Sequence, residues 1–156
     1  MIDDALAELD ALTRPGSELA RPLQRRLRDT MWESCGVVRT EAGLRAGLDE
    51  VAALREAAEN VDVQPGSEGW TDLAHALDLR AGLVAAEATL RSAIERRETR
   101  GAQIRTDFED LDPALRVNFY VDARMTPWPE PVPPVAAELL ALTEQPVELS
   151  AGQLLE

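Results

Sequence analysis

Apolar residues recur at Leu19, Leu23, Leu27 and Met31, steps of four that place them on one face of a helix. Pro22 falls early in this run, where a missing N–H is tolerated, and Gly36 ends it. A second helix opens at Thr40, a residue type that caps helix N-termini, with Glu41 next at the positive end of the dipole. Leu44, Leu48, Val51 and Leu54 supply its apolar face, and the pattern runs to Asn60. The third helix is the longest, from Ser67 or Trp70 to Arg100. It carries one stripe of Leu73, Leu77, Val84 and Ala88 and another of Leu79, Leu83, Ala86, Leu90 and Ile94, roughly 100–120° apart around the axis. A helix apolar on two sides sits centrally in a bundle or covers a neighbouring domain. Gly101 stands where a left-handed residue would close it.

The flanks follow other periods. Ile2, Leu6, Leu9 and Leu12 suit three turns of helix, and Thr13-Arg-Pro-Gly-Ser17 breaks them. Val61-Asp-Val-Gln-Pro-Gly-Ser67 reads as a loop with a short extended piece. Beyond Pro113, Leu115, Val117, Phe119 and Val121 alternate with Arg116, Asn118, Tyr120 and Asp122, the period of a strand. One strand cannot satisfy its own backbone, so it needs a partner inside or outside the chain. Thr126-Pro-Trp-Pro-Glu-Pro-Val-Pro-Pro134 is expected to be extended, and Val135 to Thr143 a last short helix. The fold class is therefore mainly α: an antiparallel three-helix bundle with a short β-strand and a proline-rich C-terminal tail. Residues 1–18 form a linker or short helix, 19–112 the three-helix domain, and 113–156 the strand, proline-rich segment and tail.

Composition narrows the function. The 156 residues carry a net charge of −13, which opposes general nucleic-acid binding, because neutralising phosphates needs a basic surface. All 16 basic residues are arginine. At 45% hydrophobic and 4% aromatic, the apolar mass is mostly Ala, Leu and Val, enough for a helical core. No apolar run approaches ~20 residues, so no transmembrane segment is expected, and the acidic start does not resemble a signal peptide. One cysteine, Cys35, and one histidine, His75, leave no internal disulfide and little for a metal site or a nucleophilic triad. Cys35 and the Met31-Trp32 pair read as packing residues, and Arg25, Arg26 and Arg28 as a solvated face. The carboxylates Asp107, Glu109, Asp110 and Asp112 match no calcium loop and read as a solvated acidic turn. No catalytic, cofactor-binding or metal residues are assigned.

One segment exceeds this background: Arg96-Arg-Glu-Thr-Arg-Gly-Ala-Gln-Ile-Arg-Thr-Asp-Phe108. Arg96, Arg97 and Arg100 suit the last turns of the long helix, where cations offset exposed carbonyls. Arg105 and Asp107 lie past the cap without a helical reason, and arginine forks suit carboxylates and other planar anions. An Arg/Asp/Glu corner at a helix end is a candidate interface or anion-facing site.

Glu98-Thr-Arg-Gly-Ala-Gln-Ile-Arg-Thr-Asp-Phe108 resembles E-S-R-G-A-H-x-R-x-D-[FY]-P, found in the C-terminal helical domain of succinate dehydrogenase and fumarate reductase flavoproteins and, closely, in L-aspartate oxidase. Leu23-Gln24 with Met31-Trp-Glu-Ser-Cys-Gly-Val-Val-Arg-Thr40 resembles the same family's L-Q-x-x-M-W-x-x-x-G-[IV]-x-R-[ST], and Gly47-Leu48 follows in register. The resemblance covers residues 19–112. It departs at Gln103, where the motif has histidine, and at Glu109, where it has proline. A glutamine still hydrogen-bonds but does not titrate near neutral pH.

The resemblance implies a C-terminal helical domain that packs against FAD-binding and capping domains of the same flavoprotein, in cis or in trans. FAD and the hydride transfer to or from a dicarboxylate belong to those domains; the chain alone holds no cofactor and is not catalytic. Glu98, Arg100, Gln103, Arg105 and Asp107 become candidate docking residues, with Arg100 and Arg105 facing the flavin domain. On that reading Arg105→Ala leaves helix content unchanged and weakens association. Location is cytoplasmic, or peripheral to the inner membrane through a respiratory complex. Two rival readings are a stand-alone interaction module that dimerises by burying Leu79, Leu83 and Leu90, and an enzyme in its own right.

Overall fold

The computed structural model of the chain describes residues 6, 7, 9, 10, 12–64, 66 and 70–143; Ile2 and the rest of the two ends lie outside them. Helix α1 spans Ala20–Cys35, α2 Glu41–Ala58 and α3 Thr71–Glu95, and each packs on both of the others. The fold is mainly helical. Thr40 caps α2 as expected, its Oγ1 accepting the Gly43 N–H at 3.0 Å.

Leu23 and Leu27 of α1, Leu44, Val51 and Leu54 of α2, and Leu79, Leu83 and Leu90 of α3 share one core. Truncating such a leucine typically costs about 2–5 kcal/mol. Gly47 sets how closely the helices approach: a Cβ there would lie 2.7 Å from Ser34 Cβ and 3.0 Å from Leu90 Cδ2. Ahead of α1, the Ser17 and Glu18 amides both donate to the Asn60 carbonyl, and Asp62 N–H returns to Glu18, so the chain entry is tied to the end of α2.

The stripes of α3 divide differently from expectation. Leu79, Leu83 and Leu90 are inside the chain's own core, so they are not a surface on which a dimer closes. The other stripe is open at Leu77 and Val84, while its Leu73 packs against the core. Trp32, expected to pack inside, is 80% exposed, whereas Met31 packs against the core. The Trp indole is large and sits on the outer face of α1, beyond the reach of the three-helix contact.

Helix α3 also stops at Glu95, five residues before Arg100. Arg96 leaves helical geometry, and Gly101 closes a tight turn at φ +59° in which the Arg100 and Gln103 amides and carbonyls exchange bonds, 2.9 and 3.1 Å. Glycine takes that left-handed conformation without a Cβ clash.

The remaining strands form two small sheets. β1 (Val38–Arg39) pairs in parallel with β2 (Ile104–Arg105), Val38 beside Ile104 and Arg39 beside Arg105. After a 3₁₀ turn at Pro113–Leu115, β3 (Val117–Val121) pairs antiparallel with β4 (Pro127–Pro131). The partner of the expected strand is thus the proline-rich segment itself. Pro127, Pro129 and Pro131 face Val121, Phe119 and Val117, while Trp128 and Glu130, which keep their N–H groups, face Tyr120 and Asn118. Antiparallel pairs alternate between bonded and non-bonded, so prolines at every second position leave the ladder intact. Tyr120 stacks on Trp128 across it, ring centroids 5.9 Å apart. A last short helix, α4 (Ala137–Thr143), follows.

Candidate functional site

The five candidate residues come together where α3 ends and α2 begins. Glu98 and Arg105 have 0% relative exposure, and Asp107 lies beside them. Arg105 turns its fork on Asp107, Nε to Oδ1 and Nη2 to Oδ2, both 2.8 Å. Its Nη1 donates to the carbonyls of Ala93 (2.8 Å), Arg96 (3.2 Å) and Ile94 (3.4 Å), the orphan acceptors of the α3 terminus. The cation that offsets the negative end of this helix is therefore Arg105, reached through β2, and not the arginines that follow α3 directly. The guanidinium also sits 4.9 Å over the Phe108 ring.

Glu98 is a second hub. Its Oε1 accepts Arg96 Nη1 and Arg100 Nε, each at 2.7 Å, and its Oε2 accepts Arg100 Nη2 at 3.0 Å and Asp112 N–H at 2.9 Å. Burial pushes this carboxyl up, but bonds from Arg100, Arg96 and the Asp112 amide outweigh it and hold Glu98 below its ordinary value. The Arg105 bonds, and then the Glu41 amide at 2.8 Å, hold Asp107 well below the usual carboxylate range. Asp107 thus belongs to the network and is not part of a freely solvated turn.

Gln103 occupies the motif histidine's place and works as a bridge. Its amide NH₂ donates to the carbonyls of Arg96 (3.1 Å) and Glu98 (3.4 Å), and its oxygen accepts Arg39 Nη1 at 2.7 Å. Arg96 extends the network outward: it donates to the carbonyls of Leu115 (3.0 Å) and Val117 (2.7 Å) and lies 4.9 Å over Phe119, latching the hairpin to the end of α3.

Arg39 and Arg96 were not among the sequence candidates. A signal was present: Arg96, Glu98 and Arg100 are spaced by two, as are Arg105 and Asp107. Residues two apart do not meet on a helix but share one side of extended backbone.

The corner does not fit a flavin or a dicarboxylate within itself. No buried side-chain nitrogen or oxygen among the described residues lacks a partner, and the Arg105 and Arg100 donors named above end on the chain's own carbonyls and carboxylates. Arg105 and Glu98 are covered within the chain itself, and Arg100 and Gln103 are half-buried. What the arrangement does chemically is clamp two helix termini and a hairpin by charge.

The small sheet in front of it is inverted. Arg39 and Arg105 point inward, while Val38 (59% exposed) and Ile104 (41%) face outward as a pair. Trp32 and Val37, both exposed, help line an apolar groove beside it.

Residues 24–126 match the family model described as fumarate reductase flavoprotein C-term, about two thirds of the chain. The chain belongs to the fumarate reductase flavoprotein C-terminal family. The fumarate reductase flavoprotein subunit of Haemophilus influenzae is 32% identical to this C-terminal domain over 111 residues, which cover 70% of the chain and 18% of that protein. The chloroplastic L-aspartate oxidase of Arabidopsis thaliana is 27% identical, over 74% of the chain and 17% of its own length. Among solved structures, Mycobacterium smegmatis Sdh1 superposes with a TM-score of 0.74 at 25% identity, covering 98% of the chain and 26% of its own. The chain thus spans about a sixth to a quarter of the proteins it matches. It is a C-terminal domain of a flavoprotein of this oxidoreductase family. Among its described residues, no helix is long and apolar enough to cross a membrane.

Proposed function

We propose that this chain is the helical domain that closes onto the FAD-binding and capping domains of a succinate- or fumarate-handling flavoprotein, supplied in cis or in trans, and that it turns over no substrate alone. The observation that carries this is the inverted sheet. A sheet that directs two arginines inward and Val38 and Ile104 outward has an apolar face suited to a second body that excludes water. The Trp32 indole on the adjoining surface supports the same direction of docking. Arg100, Gln103 and Asp107 hold the backbone behind this face in shape, and FAD stays with the other domains. Such an assembly is cytoplasmic, or peripheral to the inner membrane through a respiratory complex.

The test is reconstitution with the FAD-containing part of the flavoprotein on a separate chain. Val38→Asp with Ile104→Asp is expected to abolish the complex and leave the domain's helical signal unchanged. A complex that survives this double change would overturn the assignment of the docking face.

A second reading rests on the exposed Leu77 and Val84 of α3: a stand-alone module that self-associates through this face. A stable dimer in sedimentation that Leu77→Glu dissociates would favour it. L-aspartate oxidase is the alternative parent.

A further inference from the structure

The two edges of the β3–β4 hairpin are treated differently. On β4, Pro127, Pro129 and Pro131 occupy the positions whose N–H groups would point away from β3, so that edge offers no outward donors. The same parity aims the Phe119 and Val121 amides and the Phe119 carbonyl away from β4, on the free edge of β3. Arg96 covers this edge at Leu115 and Val117 only. No partner is present for Phe119 and Val121 on that side among the described residues.

A groove of about 540 Å³ is lined on one side by Phe119, Tyr120 and Val121 of β3. Small residues of α3, Ala88, Thr89 and Ser92, line the same groove. Arg39 stands at the same groove. Its Nε donates to the Gly36 carbonyl at 2.6 Å and its Nη1 to Gln103, but it pairs with no carboxylate among the described residues. In a chain of net charge −13, such a half-buried cation without a carboxylate awaits one from elsewhere.

We propose that the β3 edge and the α3 wall form a strand-addition site for an extended, acidic segment of the FAD-containing part of the flavoprotein, whose backbone pairs with Phe119 and Val121 and whose carboxylate meets Arg39. This rests on the docking reading above and adds a second, backbone-mediated contact to the apolar one. Main-chain bonds to an exposed edge supply affinity, and the arginine at its end fixes direction and register. The matched relatives are roughly three and a half to four times as long as this chain, so most of the polypeptide that such a domain contacts lies outside it.

The test is hydrogen exchange on the full chain, alone and reconstituted with the separately expressed FAD-containing part. Alone, the Phe119 and Val121 amides are expected to exchange freely; in the complex they slow by about 100-fold or more. Val121→Pro removes an outward donor as the β4 prolines do, and is expected to weaken association about tenfold or more while the thermal midpoint of the free chain holds. A complex that forms with both amides still exchanging overturns this site and leaves the docking reading standing. Amides already protected in the free chain, by its own C-terminal residues or a second copy, overturn it as well. If no complex forms, both readings fall together.

Discussion

Arg105 and Asp107 join the C-terminus of one helix to the N-terminus of another. The guanidinium collects the carbonyls at the end of α3, the carboxylate accepts the first amide of α2 at Glu41, and two 2.8 Å bonds close the link. Each member answers one helix dipole, and each neutralises the other. The pair is the reason two helices can end and start beside each other without an exposed terminus.

It follows that Arg105→Ala acts on the fold. Arg105 is buried but Asp107 keeps 30% of its side chain exposed, so the loss should be about 1–3 kcal/mol, from carbonyls and a carboxylate left without their donors. Urea denaturation should show a loss of this size, and Arg105→Lys should recover only part of it, since a point charge cannot reproduce the fork. Wild-type stability in the alanine variant would mean that the helix termini find other partners.

Acid should loosen the same corner. Glu98 and Asp107 are held below their ordinary values in the folded chain, so the unfolded chain binds more protons as pH falls. Their contribution is whole above about pH 5 and is lost progressively below it. The urea midpoint should drop between pH 7 and pH 4, and Asp107→Asn should flatten that slope. A slope unchanged in this variant assigns the acid response to other carboxylates.

Trp32→Ser should leave stability within about 0.5 kcal/mol, because the indole is 80% exposed and buries little on folding. Calorimetry of the free chain checks this. A loss of several degrees in the thermal midpoint would place the ring inside the fold rather than on a docking surface.

Gly47 offers the opposite case. An added methyl meets Ser34 and the core side chain Leu90 at once, so Gly47→Ala should destabilise by about 1–3 kcal/mol despite alanine's better helix propensity. Stability equal to wild type would show that α1 and α2 can separate without cost.

The helices were legible because their signals are local. The step-of-four leucines, Thr40 and the shift to period two at Leu115 each report on neighbouring residues, and the structure follows them within a few positions. The end of α3 was not legible in the same way. Arg96, Arg97, Glu98 and Arg100 have good helix propensity, and what draws the segment out of the helix is tertiary: Glu98 is held inward by two arginines and the Asp112 amide. The segment of prolines 127, 129 and 131 reads as extended, which it is, but its pairing with β3 is not visible in it. The prolines argue against a strand one by one, yet their spacing of two is the one that an edge strand tolerates. Trp32 reads as a packing residue, and the stripe of Leu77 and Val84 is left open between bundle and neighbouring domain, because periodicity cannot tell an inner face from one awaiting another body.

Arg96 latches the hairpin to the end of α3. Arg96 reaches from the residue after α3 to the carbonyls of Leu115 and Val117 and covers Phe119, while Glu98 steadies its guanidinium. In Arg96→Gln, Glu98 keeps both Arg100 bonds, so the helical core should hold its thermal midpoint. The hairpin loses its latch, because the shorter side chain cannot span two carbonyls and a ring. The Asn118 and Tyr120 amides, which face β4, should then exchange about tenfold faster or more, ahead of the α2 and α3 amides. If the two sets still exchange together, the hairpin is held by its contacts with α3 and by the Tyr120–Trp128 stack, and Arg96 is only one contact among several.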